Sequence, residues 1–442
     1  MKYALIVPDG MADRPLAELG GRTPLQVAKT PNMDRLAREG SVGLVRTCPA
    51  GMVPGTEICL MSLMGYDPRE YFRGRGPLEA LGDGLELKKS EVAFRVNLVT
   101  VQGDLMDDYS AGHITDAEAK EIVLMLDKRL GSDEIRFYPG ASYRNIMVWR
   151  GGSDEVKTIG PHHILGQPWK PNLPKGKGEA KLLQMIEDSR ILLAGHEVNR
   201  ARRMKKLKIA NMIWPWSPGK LPVVPDFRTK YGVGGAMITA VDIGRGLGRL
   251  AGLEILKVPG ATGYFDTNYQ GKGEAAAKAL KTTDLVVVHI EAPDEAGHEG
   301  LVAEKIRAIE QIDEFVVGAL LNAHPKLGAL SLLVVPDHPT PLETRNHTDE
   351  PVPFVLWRQV ASTPRVKATR GVSADAKTPS SPPGTAGGGP PPPAPEAGPG
   401  FDEATAAASG VLIEEGWTLL DRFFVPAAPA DPAAPPSTPP GA

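Results

Sequence analysis

Residues 285–337 decide the fold. They contain "LVVVHIEAP" (285–293), "VAEKIRAIEQIDEFVVGALLNA" (302–323) and "LSLLVVPD" (330–337). The first and last are apolar on both faces, as strands of a buried sheet are, and the middle one repeats its apolar residues at helical spacing. Strand, helix and strand in that order imply parallel pairing, hence an α/β fold whose sheet is covered on both faces.

Working outward, "YALIVPDG" (3–10) reads as a further strand. "TPNMDRLAREG" (30–40) reads as a helix with Thr30 as N-cap, Pro31 first and Gly40 as stop. The region 80–212 is more polar, includes "RVNLVTVQGDLMDDYSAGH" and "RFYPGASYRNIMVWRGG", and predicts a smaller α+β domain inserted into the larger one. The expected division is 1–79 with 213–425 for the large domain and 80–212 for the insert. Residues 362–400 and 426–442 are rich in Pro and Gly and bury too little apolar surface to offset their ordering entropy. They predict a disordered insertion and a disordered tail. Between them, "FDEATAAASGVLIEEGWTLLDRFF" (401–424) predicts a turn and a final helix.

The chain has 442 residues, 42% of them hydrophobic, enough for a large core, and a formal charge of −3. That balance argues against a general nucleic-acid or membrane surface. No apolar run is long enough for a transmembrane helix. Two cysteines, Cys48 and Cys59, make no disulfide framework and point to a reducing cytoplasm.

Three strands end alike. The first delivers Asp9, the second Asp294 with His298 four residues on, the third Asp337 and His338, and His347 follows in "RNHTDEPVPF". Ligands of open α/β sheets gather at the carboxyl ends of the strands. Any one of these acids alone is more simply a helix cap or turn residue. Their recurrence at three strand ends, with three histidines nearby, favours divalent metal. Mixed Asp and His donors suit zinc or manganese, and two ions need about eight ligands. A two-metal site calls for a phosphate or sulfate ester and a nucleophile. In "PAGMVPGTEICLMSLMGYDP" (49–68), Thr56 follows Gly55 and opens a helix expected over 57–64. A hydroxyl there can be deprotonated by a metal, and its phosphoester stabilised by the helix N-terminus. Ser62, the rival hydroxyl, falls inside the helix and is assigned to packing.

Asp9, the Gly55–Thr56 helix start, "GYDP", "GRGPLEA", "PGATGYFDTNYQGK", "EAPDEAGHEG", "PDHPTP" and "HTDEPVPF" together resemble the archaeal-type cofactor-independent phosphoglycerate mutases of the alkaline phosphatase superfamily. The resemblance covers roughly 1–358 and 401–425. It implies an alkaline-phosphatase-like, mostly parallel sheet interrupted by a substrate-clamping α+β domain. It implies two divalent ions (Mn, Zn, Co or Mg) and no 2,3-bisphosphoglycerate. Asp9, Thr56, Asp337 and His338 would hold one ion, and Asp294, His298 and His347 the other. Thr56 would carry the phosphoryl group between the 3- and 2-hydroxyls of glycerate, a step of glycolysis and gluconeogenesis. Lys272 would neutralise phosphate charge near Thr56, and His163 would act as acid and base on the leaving hydroxyl. Arg75 and Arg144 would contact a small phosphorylated acid. The assembly is expected to be a monomer or homodimer.

Two positions depart from the family. Thr56-Glu57 stands where Ser-Asp is usual. "DDYSAGH" (107–113) stands where many members have an arginine-rich "DRRAGR". The latter is similar to a subgroup proposed to be homoserine kinases, in which Asp107, Asp108 and His113 would meet the substrate and a carboxylate would pair with its amine. No phosphate-binding G-x-x-x-x-G-K-[ST] loop is present; "PKGKGEAK" (174–181) is a basic loop and "GRGLG" (244–248) a close-packing helix. A non-catalytic binding protein on the same scaffold would have lost ligands, and every expected Asp and His is here.

Overall fold

The computed structural model describes residues 1–359 and 400–424. The expected insertion at 362–400, apart from its last residue, and the expected tail at 426–442 lie outside them. Among the described residues the strands are β1 (Lys2–Pro8), β2 (Ser41–Val45), β3 (Glu91–Gln102), β4 (Leu105–Asp108), β5 (Ile135–Tyr138), β6 (Arg144–Arg150), β7 (Met212–Gly219), β8 (Gly235–Ile238), β9 (Glu254–Ile255), β10 (Leu285–Ile290), β11 (Leu330–Val334), β12 (Val352–Gln359) and β13 (Leu412–Ile413). They form two sheets. The larger has the order β13-β2-β12-β11-β1-β10-β8-β9. Strand β1 is central and parallel to both β10 and β11, with Pro8 opposite Ile290 and Ile6 opposite Val334. Only β12 opposes its neighbours.

Alternation along these strands explains the two-sided cover. Tyr3, Leu5 and Val7 enter one core with Leu285, Val287 and Leu333. Ala4 and Ile6 enter the other with Val286, Val288, Leu332 and Val334. A strand buried on both faces has no polar side to spare, which is why its sequence reads as one apolar run. The doubly covered α/β sheet is therefore the fold. No described helix is long and apolar enough to cross a membrane.

The second sheet places β3 at its centre, paired with β4, β6 and β7, all antiparallel. Its core holds Phe94, Leu98, Ile122, Met147, Trp214 and others. Strand β7 stays in this sheet to Gly219, past the boundary expected at 212, because Met212–Gly219 supplies the hydrogen-bonding partner of β3.

Two local readings differ from expectation. Residues 302–327 are helical throughout, but 312–317 form a π-helical turn. This turn brings Asp313 onto the backbone N–H of Asn32 and Met33 at 3.2 and 2.7 Å, at the start of the helix Pro31–Glu39. The Thr30 hydroxyl makes no capping bond to that helix; it contacts Asp34 instead. The segment 401–424 is no single helix. It folds as a helix (Glu403–Ala408), strand β13 and a short helix (Leu419–Phe423), because Gly410 turns at φ 69° and Leu412–Ile413 pair with β2.

Candidate active site

Parallel register brings the ends of β1, β10 and β11 to one rim. Asp9 follows β1, the helix Ala292–Glu299 starts just beyond β10 and carries Asp294 and His298, and Asp337 and His338 follow β11. The helix Thr56–Leu63 adds Thr56 at its first position. The loop after His338 returns His347.

Two clusters of donor atoms meet there. In one, His298 Nε2 lies 3.2 Å from Asp294 Oδ2, His347 Nε2 lies 3.3 Å from Asp294 Oδ1, and the two Nε2 atoms are 2.8 Å apart. His298 Nδ1–H donates to the Arg345 carbonyl at 2.9 Å, which turns Nε2 toward Asp294. In the other, His338 Nε2 faces Asp9 Oδ1 at 3.3 Å, Asp337 Oδ2 at 3.4 Å and the Thr56 hydroxyl at 3.5 Å. All seven residues singled out as metal ligands thus converge.

Electrostatics favour a cation. Asp9, Asp294 and Asp337 are all buried. Asp9 Oδ1 and Asp337 Oδ2 have no hydrogen-bond partner. Burial raises the Asp9 carboxyl well above its ordinary value, and the charges of Asp337 and Asp294 push it further. Burial works against the charge on Asp294 too, yet hydrogen bonds from His298 and His347 hold it well below the usual carboxylate range. Against its own burial, His298 rises to about 9 beside Asp294. Burial lowers His338, which stays neutral. Three carboxylates and three imidazoles with orphaned oxygens form a donor set that divalent ions fit. Three ligand triads lie within 4.8 Å: Asp294–His298–His347, Asp9–Asp294–His338 and Asp9–His289–Asp337.

Space at the rim is made by Gly10. It turns at φ 63°, and a Cβ there would sit 2.6 Å from the Asp294 backbone and the Thr340 hydroxyl.

The last triad contains a residue that sequence reasoning passed over. His289, wholly buried, lies 3.1 Å from Asp9 Oδ2 through Nε2 and 3.0 Å from Glu291 Oε1 through Nδ1. Against burial, Glu291 and Asp9 raise its imidazole to about 10. Lys272 belongs to the same group. Its buried ammonium bonds the Glu291 carboxylate and the His289 carbonyl, both at 3.2 Å. It is therefore spent on Glu291, not presented as a free charge beside Thr56. Thr340 was also missed; its hydroxyl donates to Asp294 Oδ1. The only signals available were polar residues inside "VVVHIEAP" and "PDHPTP".

The helix Arg75–Gly82 and the second sheet supply further charged groups. Arg75 reaches Glu57 at 3.5 Å and Glu79 at 3.1 Å. Arg95, missed because it sits in the strand β3, shares Glu79 at 2.7 Å and stacks on Trp216. Burial, and then repulsion from Arg75 and Arg144, lower it to about 10. Glu57, next to Thr56, is held below its ordinary value against burial by Arg75, its own backbone N–H, His347 and Arg95. Arg75 and Arg95 thus link Glu57, beside Thr56, to the second sheet. Arg144 is exposed over the Tyr143 ring. His163 is exposed in the turn Pro161–Ile164 with its ring 4.0 Å from that of His162. His113 is exposed near Tyr143. Asp107 and Asp108 are not free carboxylates: Lys208 pairs with both, at 3.1 and 3.5 Å, and Asp108 also accepts from Ser110.

Known proteins agree with this architecture. The family model of 2,3-bisphosphoglycerate-independent phosphoglycerate mutase matches residues 37–199. A probable enzyme of that name from Geobacter sulfurreducens is 45% identical over 96% of this chain and 100% of its own. One from Methanothrix thermoacetophila is 52% identical over 80% of this chain and 90% of its own. A Pyrococcus horikoshii protein of known structure shares the fold at a TM-score of 0.75, with 27% identity and 96% of each chain covered. With identity of this extent over nearly the whole chain, the protein belongs to the 2,3-bisphosphoglycerate-independent phosphoglycerate mutase family.

Proposed function

We propose that the chain interconverts 3-phosphoglycerate and 2-phosphoglycerate by passing the phosphoryl group through Thr56 at a site for two divalent ions. The observation that supports this is the Thr56 hydroxyl, at a helix N-terminus and 3.5 Å from His338 Nε2 among the buried ligands. Asp9, Asp337, His338 and Thr56 would hold one ion, and Asp294, His298 and His347 the other. Bound ions lower the pKa of a hydroxyl and offset charge on phosphoryl oxygens. Thr56 Oγ1 forms the new bond to phosphorus as the bond to the substrate oxygen breaks. The helix N-terminus favours the resulting phosphoester. His163 gives a proton to the leaving hydroxyl and takes one back from the other. Arg75, Arg95 and Arg144 offer forks for the carboxylate and phosphate. Glycerate then turns within the cleft and recovers the phosphoryl group on its other hydroxyl.

The homoserine kinase alternative needs a carboxylate to meet an amine, and Lys208 already occupies Asp107 and Asp108. A coupled assay for mutase activity, run beside ATP-dependent phosphorylation of homoserine with manganese present, decides. Turnover of phosphoglycerate alone is expected; turnover of homoserine alone would overturn the proposal.

A further inference from the structure

Thr340 lies buried between the two ligand clusters and touches one member of each. Its hydroxyl donates to Asp294 Oδ1 and lies 3.3 Å from His338 Nδ1. A hydroxyl has one proton to give. A carboxylate only accepts, so that proton goes to Asp294, and the hydroxyl oxygen is left to accept from His338 Nδ1–H. In a neutral imidazole this leaves the lone pair on Nε2. Nε2 is the nitrogen that faces Asp9, Asp337 and Thr56 at 3.3, 3.4 and 3.5 Å. That lone pair can take a cation or, when none is bound, a proton shared from the Thr56 hydroxyl.

The surroundings hold this side chain in place. Lys305, wholly buried, donates to the Thr340 carbonyl at 2.8 Å and to Asp13 at 2.7 Å. The Thr340 N–H donates to the Ala12 carbonyl at 3.3 Å. Gly10 and Gly297 close around it: a Cβ on Gly10 would meet the Thr340 hydroxyl at 2.6 Å, and one on Gly297 the Thr340 carbonyl at 2.6 Å. The backbone contacts would survive a side chain of the same size and shape at 340. The hydroxyl contacts would not.

We propose that Thr340 is a positioning residue that couples the two metal centres, its hydroxyl selecting the His338 tautomer that serves one ion while holding the Asp294 that serves the other. This rests on the two-metal reading above. Outer groups that orient ligands change metal affinity by about 10–100-fold when removed.

The test uses full-length protein, with T340V removing the hydroxyl at constant shape and T340S restoring it. Manganese titration by calorimetry is expected to give two sites in the wild type, binding about 10–100-fold weaker in T340V, and near-wild-type binding in T340S. Long-range 1H–15N spectra of metal-free, histidine-labelled protein read the tautomer without any ion. The wild type and T340S are expected to carry the His338 proton on Nδ1, and T340V to lose that preference. Should T340V fail to fold, T340A against T340S makes the same comparison. Wild-type affinity and an unchanged His338 tautomer in T340V would overturn the proposal. A wild type that binds no more than one manganese ion overturns the two-metal reading itself, and the coupling with it.

Discussion

The Lys272 ammonium lies 3.2 Å from the Glu291 carboxylate, and neither side chain has more than a sliver of surface open to solvent. Glu291 continues to His289, and His289 to Asp9. A buried chain of ionisable groups thus runs from the lysine to the rim where the candidate ligands meet. Breaking such a pair by deleting one partner leaves the other charge stranded.

Lys272→Met should therefore destabilise the metal-free protein by about 3–5 kcal/mol in denaturant unfolding. Lost turnover with unchanged unfolding would instead give the lysine a direct role with substrate.

Thr56→Ala is expected to cut phosphoglycerate turnover by at least about 10³-fold, because the reacting oxygen is gone. The side chain is half-buried at a helix start, so the melting temperature should move little. Mass spectrometry of quenched wild type should find phosphate on the peptide containing Thr56. Turnover that survives in the alanine variant would point to Ser62, whose buried hydroxyl has no partner, or to direct transfer.

His298 offers one of several ligand atoms and is partly exposed. His298→Ala should weaken manganese binding by at least the about 10–100-fold seen on loss of groups that merely orient ligands, and regain part of its activity in excess manganese. Recovery on changing pH alone, with no response to manganese, would remove His298 from the ligand set.

Asp313 carries a pH dependence unrelated to the site. Burial raises its carboxyl from an ordinary 3.8 to about 6, against hydrogen bonds from Met33 and Asn32. A raised folded value means the folded chain keeps a proton that the unfolded chain has released. Stability is then full below 3.8 and falls as pH rises through about 6. One proton corresponds to a slope of about 1.4 kcal/mol per pH unit. Unfolding measured from pH 4 to 7 should lose this component in Asp313→Asn. An identical slope in the variant would assign the dependence elsewhere.

Much of this was legible from the chain alone, for a physical reason. A strand buried on both faces must be apolar throughout, so a polar residue at its end stands out, and Asp9, Asp294 and Asp337 stood out together. His289 did not. It sits inside β10, where an imidazole reads as core, and only the register with β1 reveals Asp9 beside it. Lys272 and Glu291 are 19 residues apart and meet only through packing. Arg95 was hidden similarly, its partner Glu79 lying in a helix of its own. The segment 401–424 misled because helical spacing is indifferent to an available strand edge, and β2 offered one.

Strand β12 runs against β11, with Gln359 opposite Leu330 and Val355 opposite Val334. Strand β12 consequently ends at Gln359 on the far rim, beneath the amino-terminal ends of the parallel strands, while the proposed catalytic chemistry lies at the upper one. Gln359 and the carboxylates Asp9, Asp294 and Asp337 therefore lie at opposite ends of the same sheet. A label carried on the exposed side chain of Gln359 is thus held a whole strand length from the proposed reaction.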